Sequence, residues 1–189
     1  MKNSLDYLKN KDHNAVKKFG QNFLIDPNII SNIVDSQDID KETCVIEIGP
    51  GLGALTKELV NKAKHVIAYE IDKKLISILK ENFKEIKNIE IHQQDFLALD
   101  FLSLTKELKS KFKKIVVISN LPYYIASQLI IQVLSNSDYI ESSVFMMQKE
   151  FGERLTAKIS TKKYNNFSIL VQHYALVKKL FIVPPTVFI

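Results

Sequence analysis

The chain has 189 residues, 46% apolar and 25% charged, a balance that excludes a disordered or collagen-like polymer and fits about one globular domain. No run of about 18 uncharged apolar residues is present, so no membrane association is expected, and the one cysteine, Cys44, excludes an internal disulfide and a cysteine-built zinc site. The net charge of +5 is carried by lysines and a single arginine, Arg154, and suits a partner rich in phosphate.

In chain order, residues 1–20 are basic, with Lys2, Lys9, Lys11, Lys17 and Lys18 against only Asp6 and Asp12. They hold no apolar stretch of the secretory kind, so a cytoplasmic protein is expected. Asp26-Pro27 is an N-cap followed by proline and predicts a helix to about Ser36. Thr43 to Ile48 reads as a buried strand, Gly53 to Ala63 as a helix, and His65 to Ile71 as a second strand. Asp72 caps a helix through Phe83, and Ile89 to Gln93 is a third strand. The lysines at 106, 109, 111, 113 and 114 form a second basic run, opposed only by Glu107. Ile115 to Ser119 is a fourth strand, Ile125 to Leu134 a helix, Ser142 to Met147 a fifth strand and Lys149 to Ala157 a helix. Asn165 to His173 reads as helix and Tyr174 to Val183 as a last strand, broken by Pro184-Pro185. Alternation of strand and helix predicts an α/β fold, a mostly parallel sheet with helices on both faces. Ligands of such sheets bind beyond the carboxyl ends of the strands.

Three of the five glycines, Gly49, Gly51 and Gly53, follow the first strand within five residues and lead into a helix. Such a loop turns tightly under a ligand and presents free N–H groups. The second strand ends Glu70-Ile71-Asp72, where a carboxylate suits a ribose diol. The third is followed by Asp95-Phe96: a carboxylate for an exocyclic amine beside a ring for an adenine face. Gly49-x-Gly51-x-x-Ala54 also fits the dinucleotide fingerprint, which leaves a nicotinamide-dependent dehydrogenase as a distant alternative. Glu47, two residues before the first glycine, and Asp95-Phe96 favour S-adenosyl-L-methionine (AdoMet).

The fourth strand ends Asn120-Leu121-Pro122-Tyr123. An adenine amine is a poor nucleophile because its lone pair is delocalised into the ring. A side-chain amide oxygen and a backbone carbonyl that accept its two N–H bonds aim that lone pair at a methyl donor. Proline stiffens the loop and tyrosine stacks on the base, so positioning does the work of a strong base.

On these residues the chain resembles the ribosomal RNA adenine N6,N6-dimethyltransferases, and within them the small-subunit type. The match covers Lys18 to Leu24 (KFGQNFL), Glu47 to Gly53, Glu70-x-Asp72, Asp95-Phe96 and Asn120 to Tyr124. It continues through Met147-Gln148-Lys149-Glu150, Arg154-Leu155, Tyr164 to Ser168 and Val183 to Phe188. The resemblance implies a class I, Rossmann-like AdoMet methyltransferase fold. It implies AdoMet contacts at Asn22, Leu24, Gly49, Glu70, Asp95 and Asn120, and with the loops read above the expected cofactor site also takes in Gln21, Glu47, Gly51, Gly53, Ile71 and Phe96. It places the target adenine between Tyr123 and Phe188, with Asn120 and Leu121 at its amine and Pro122 stiffening the loop. The implied substrate is a pair of adjacent adenosines in a hairpin loop near the 3′ end of small-subunit (16S) rRNA, each receiving two methyls during ribosome maturation. The implied partners are that rRNA and the immature small subunit, met by a monomer. The macrolide-resistance methyltransferases, which act on large-subunit rRNA, and a non-catalytic ribosome-assembly factor are the alternatives.

Two departures from the family pattern stand out. Asn165 replaces a usual glycine, and since asparagine tolerates positive φ the turn is expected to survive. The family continues past Ile189 with a further strand and a small helical domain, so residues 21–189 are expected to be a catalytic domain cut before its last strand. The Tyr174–Val183 strand would then show an open edge. Residues 1–20 are expected to contact RNA and order over the cofactor.

Overall fold

The computed structural model describes residues 23–121 and 123–189. Among them, five strands form a parallel sheet in the order β3-β2-β1-β4-β5: β1 (Thr43–Ile48), β2 (His65–Glu70), β3 (Ile89–Gln93), β4 (Lys114–Asn120) and β5 (Ser142–Met146). Seven helices connect and flank them: α1 (Pro27–Asp35), α2 (Ala54–Lys62), α3 (Lys73–Asn82), α4 (Phe101–Lys111), α5 (Ala126–Leu134), α6 (Lys149–Leu155) and α7 (Asn166–Tyr174). The chain order reverses at β1, which pairs with β2 on one side and β4 on the other. A crevice opens at that switch point in sheets of this kind.

Alternation along each strand feeds two cores. Cys44, Ile46 and Ile48 of β1 and Ile115 and Val117 of β4 pack with buried residues of α4, α5, α6 and α7. Val45, Val66, Val116 and Ile118 pack with α1, α2 and α3 on the opposite face. β1 is buried at every position because it is covered on both faces, which is why it reads as an apolar run broken only by the buried Glu47 after Thr43. At the carboxyl ends, the Ser119 hydroxyl donates to the Ile48 carbonyl at 2.7 Å and pins β4 to β1.

The fold is the α/β class expected, with strands and most helices within a residue or two of their predicted ends. Helix α4 was not foreseen. Asp100 caps it, accepting from the Ser103 amide at 3.1 Å and the Ser103 hydroxyl at 2.7 Å, while Phe101, Thr105 and Leu108 bury one face. The basic run at 106–114 belongs to this helix and the start of β4. Lys111 pairs with Glu107 at 2.5 Å and Lys113 with Glu42, while Lys114 bridges Asp38 at 2.5 Å and Asp40 at 2.9 Å. The hydrogen bond from Lys114 holds the Asp40 carboxyl down to about 2. These lysines sit at the amino end of β4 and are largely occupied by partners, so they are not an open phosphate-binding run at the ligand end.

Tyr174 to Val183 is the clearest correction. Tyr174 closes α7, and among the described residues 175–183 no strand forms. A strand needs a neighbour for its ladder, and this segment has none among the described residues; it touches the cores through Val177 and Val183 while Leu176 and Ile182 stay exposed. Asn165 also departs from expectation. Its backbone is extended (φ −144°), and it is the N-cap of α7: its side chain accepts from the amides of Phe167 (2.9 Å) and Ser168 (3.1 Å). The positive φ in this region falls instead at Ser160 (φ 68°).

Candidate active site

One cavity lies beyond the carboxyl ends of β1, β2, β3 and β4, lined by the loops that follow them. The loop after β1 forms its floor. Gly49 has φ +68°, and a Cβ there would meet nothing within 4 Å, so the backbone faces open space on the cavity side. Its amide donates to the Tyr69 carbonyl at 2.9 Å, which ties the loop to β2. Gly53 has φ +84° and works differently: a Cβ would come within 2.7 Å of the Phe83 ring, so this glycine lets α2 pack against the end of α3. Phe23 covers the loop from above, close enough that a Cβ on Gly51 would meet its ring at 3.1 Å.

Three carboxylates face or border this floor. Glu47 is buried in β1 and accepts from the Thr56 hydroxyl of α2 at 2.7 Å. Burial pushes its carboxyl up to about 7, the Thr56 bond opposing and the Glu70 charge adding to the rise. Glu70 ends β2; its Oε1 accepts from the amides of Ile71 and Asp72, both at 2.9 Å, and its Oε2 from Gly51 at 3.2 Å. Burial raises its pKa against those three bonds. The carboxylate is thus fixed between the β1 and β2 loops, where a ribose diol can donate to its remaining lone pairs. Asp95 is exposed after β3, with Oδ1 accepting from the Leu97 amide at 2.9 Å. Beside it the Phe96 ring is buried, held edge-on by Tyr69 (5.6 Å) and Phe101 (4.9 Å).

The last wall is the exit of β4. Asn120 is in register with Met146, and the Leu121 amide donates to the Met146 carbonyl at 2.9 Å. β5 therefore fixes the backbone at the point where it leaves the sheet. Tyr123 and Tyr124 follow at the cavity mouth, half-exposed and exposed, ahead of α5. The cavity thus brings the glycine loop, the Glu70 carboxylate, Asp95 beside the Phe96 ring, and the Asn120-Leu121 exit of β4 into one space.

The family model "Ribosomal RNA adenine dimethylase" matches residues 12–189. The chain belongs to the ribosomal RNA adenine dimethylase family. It is 45% identical over 172 residues to "Ribosomal RNA small subunit methyltransferase A" of Staphylococcus carnosus (strain TM300), covering 91% of this chain and 58% of that relative. Among solved structures it is similar to a dimethyladenosine transferase from Plasmodium falciparum, with TM-score 0.69 and 33% identity over 79% of this chain and 52% of that one. It is also similar to the 23S rRNA methyltransferase ErmE, with TM-score 0.59 and 31% identity over 70% of this chain and 50% of that one. The chain therefore spans under two thirds of the length of these relatives.

Of the residues that resemblance to the dimethylase family pointed to, Leu24, Glu47, Gly49, Gly51, Glu70, Ile71, Asp95, Phe96, Asn120, Leu121 and Tyr123 line the cavity. Gly53 does not; it serves helix packing. Phe188 does not line it either: it pairs with Leu24 across an antiparallel bridge and packs against the α1–α3 core. Gln21, Asn22, Pro122 and the basic segment 1–20 lie outside the described residues. Sequence reasoning missed Thr56, which holds Glu47, and Gln94, which lines the cavity with its amide on the Glu70 carbonyl at 3.0 Å. The threonine could have been found as the polar residue in the first turn of α2, on the face that meets β1.

Proposed function

We propose that this chain is the catalytic part of an AdoMet-dependent rRNA adenine N6,N6-dimethyltransferase of the small-subunit type. The observation that carries it is the convergence of Gly49, Glu70, Asp95 and Asn120 on one cavity, from the ends of β1, β2, β3 and β4. The open Gly49 backbone and the fixed Glu70 carboxylate fit the amino-acid and ribose parts of AdoMet. Asp95 and Phe96 fit its adenine, Leu24 borders the site, and Gln21 and Asn22 would add cofactor contacts. AdoMet supplies, when bound, an electrophilic methyl group on a positively charged sulfur.

At the exit of β4, Asn120 and the Leu121 carbonyl accept from the amine of the target base, and Tyr123 stacks on its ring. Enzymes that modify a base must take it out of its stack, and an exposed aromatic at the cavity mouth lowers that cost. Phe188 is the proposed second aromatic; from its bridge to Leu24 it would have to turn toward the mouth. No strong base is required, because orientation of the amine supplies the rate. The substrate we propose is two adjacent adenosines of a 3′-terminal hairpin loop in 16S rRNA, presented on an immature small subunit to a cytoplasmic monomer. Residues 1–20 would add phosphate contacts. The small-subunit relative at 45% identity supports this reading over the large-subunit one at 31%.

The test is methyl transfer from AdoMet onto under-methylated small subunits, read by nucleoside mass spectrometry. N6,N6-dimethyladenosine is the expected product. A chain that neither binds AdoMet nor transfers a methyl overturns the reading, and methylation of large-subunit rRNA alone overturns its substrate.

A further inference from the structure

We propose that Gln132 is a positioning residue that locks the adenine-reading turn to the helix carrying the target-base loop. It rests on the cavity reading above. Gln132 lies on α5, and its Nε2 donates to the carbonyls of Phe96 at 3.2 Å and Leu99 at 3.3 Å. Both carbonyls belong to the short turn that follows β3: Phe96 opens it and Leu99 closes it, the Leu99 amide donating to Phe96 at 3.2 Å. The same turn carries Asp95, whose Oδ1 holds the Leu97 amide. With two carbonyls as its neighbours, the amide of Gln132 has one workable orientation, nitrogen inward. Its Oε1 is buried and accepts from nothing among the described residues, so the function of the side chain lies in the two N–H groups.

The far end of the link is α5 itself. This helix starts at Ala126, directly after Tyr123, Tyr124 and Ile125, and Leu129, one turn before Gln132, lines the cavity. A fork on one side chain therefore spans the two walls that must keep a fixed spacing: the wall that receives the adenine of the cofactor and the wall that receives the base. Burial holds Phe96 in place, but Asp95 is exposed and gains its direction from the turn alone. Slackening the fork lets that carboxylate drift. Asp95 is also the group that would distinguish an exocyclic amine, which donates to it, from a carbonyl, which it repels.

The experiment measures binding of S-adenosylhomocysteine and of its inosine counterpart by calorimetry, with thermal melting alongside. The proteins are the full chain and its Gln132→Met and Gln132→Glu variants. Methionine keeps length and bulk without a donor; glutamate sets a carboxylate against the two carbonyls. The unsubstituted chain should prefer the adenosine ligand. Loss of the paired hydrogen bonds in Gln132→Met should weaken it about tenfold and the inosine ligand much less, so the preference shrinks. Gln132→Glu should shrink it further. An unchanged preference in both variants overturns the proposal, and so does equal weakening of both ligands, since general loosening of the core would do that. Failure of the unsubstituted chain to bind either ligand would instead sink the cofactor reading itself.

Discussion

The backbones of Phe23 and Ile189 exchange two hydrogen bonds, the Phe23 amide donating at 3.1 Å and the Ile189 amide returning at 3.0 Å. Together with the 2.9 Å bond from Ile25 to the Val187 carbonyl, they form an antiparallel bridge centred on Leu24 and Phe188. The bridge holds the Phe23 ring over Gly51. Val187 anchors it, buried in the α1–α3 core. A charge there cannot be buried without a partner, so Val187→Asp should release the bridge and with it the cover on the glycine loop. The expected result is AdoMet affinity lower by about tenfold, on the scale of 1.4 kcal/mol per decade, with the sheet intact by circular dichroism. Unchanged affinity would show that the cover contributes nothing to the site.

Gly49 and Gly53 have the same backbone hand and opposite duties. Gly53→Ala combines φ +84° with a contact of 2.7 Å to the Phe83 ring. It should cost stability by about 2 kcal/mol, read as a lower denaturation midpoint in urea. Gly49→Ala carries the φ penalty alone, since its Cβ would meet open space. That space is the cavity, so this variant should lose more AdoMet affinity than stability. The two variants exchanging these phenotypes would contradict the placement of the cofactor.

Asn120→Ala removes the side-chain acceptor at the exit of β4 while leaving the Leu121–Met146 hydrogen bond of 2.9 Å in place. Loss of one positioned polar group of this kind costs about 100-fold or more in kcat. Methyl transfer should fall by that factor while binding to small subunits holds. An active Asn120→Ala chain would remove the proposed role, and a matching loss of RNA binding would mark the residue as structural.

The sheet was legible because both faces of β1 and β4 are covered, leaving runs such as Cys44–Ile48 and Ile115–Ile118 with no polar interruption but Glu47. Chemistry marked the cavity loops, since each follows a strand end. Helix α4 was hidden by its lysines: Lys106, Lys109 and Lys111 drew the eye to charge, while Phe101, Thr105 and Leu108 carried the period. The Tyr174–Val183 strand was wrong for another reason. β-branched and aromatic residues describe a pleated surface, not the neighbour that must pair with it. Phe188 and Gln132 lay beyond local pattern altogether, because a bridge to Leu24 and a fork onto Phe96 are long-range facts.

Glu47 gives the chain a signed pH dependence. Its folded pKa of about 7 lies above its ordinary value of 4.5, so between those limits the folded chain holds a proton that the unfolded chain has released. Stability then falls as pH rises through that window, is free of this penalty below it, and carries the whole penalty above it. For a fully buried carboxyl the difference is on the order of 3 kcal/mol. Glu47→Gln keeps an oxygen for the Thr56 hydroxyl and has no charge to bury, so it should match the parent at pH 4.5 and exceed it in stability at pH 8. Urea denaturation of both proteins across that range checks it. A constant difference between the two at every pH would mean that Glu47 is already ionised in the fold, with Thr56 and water compensating its burial.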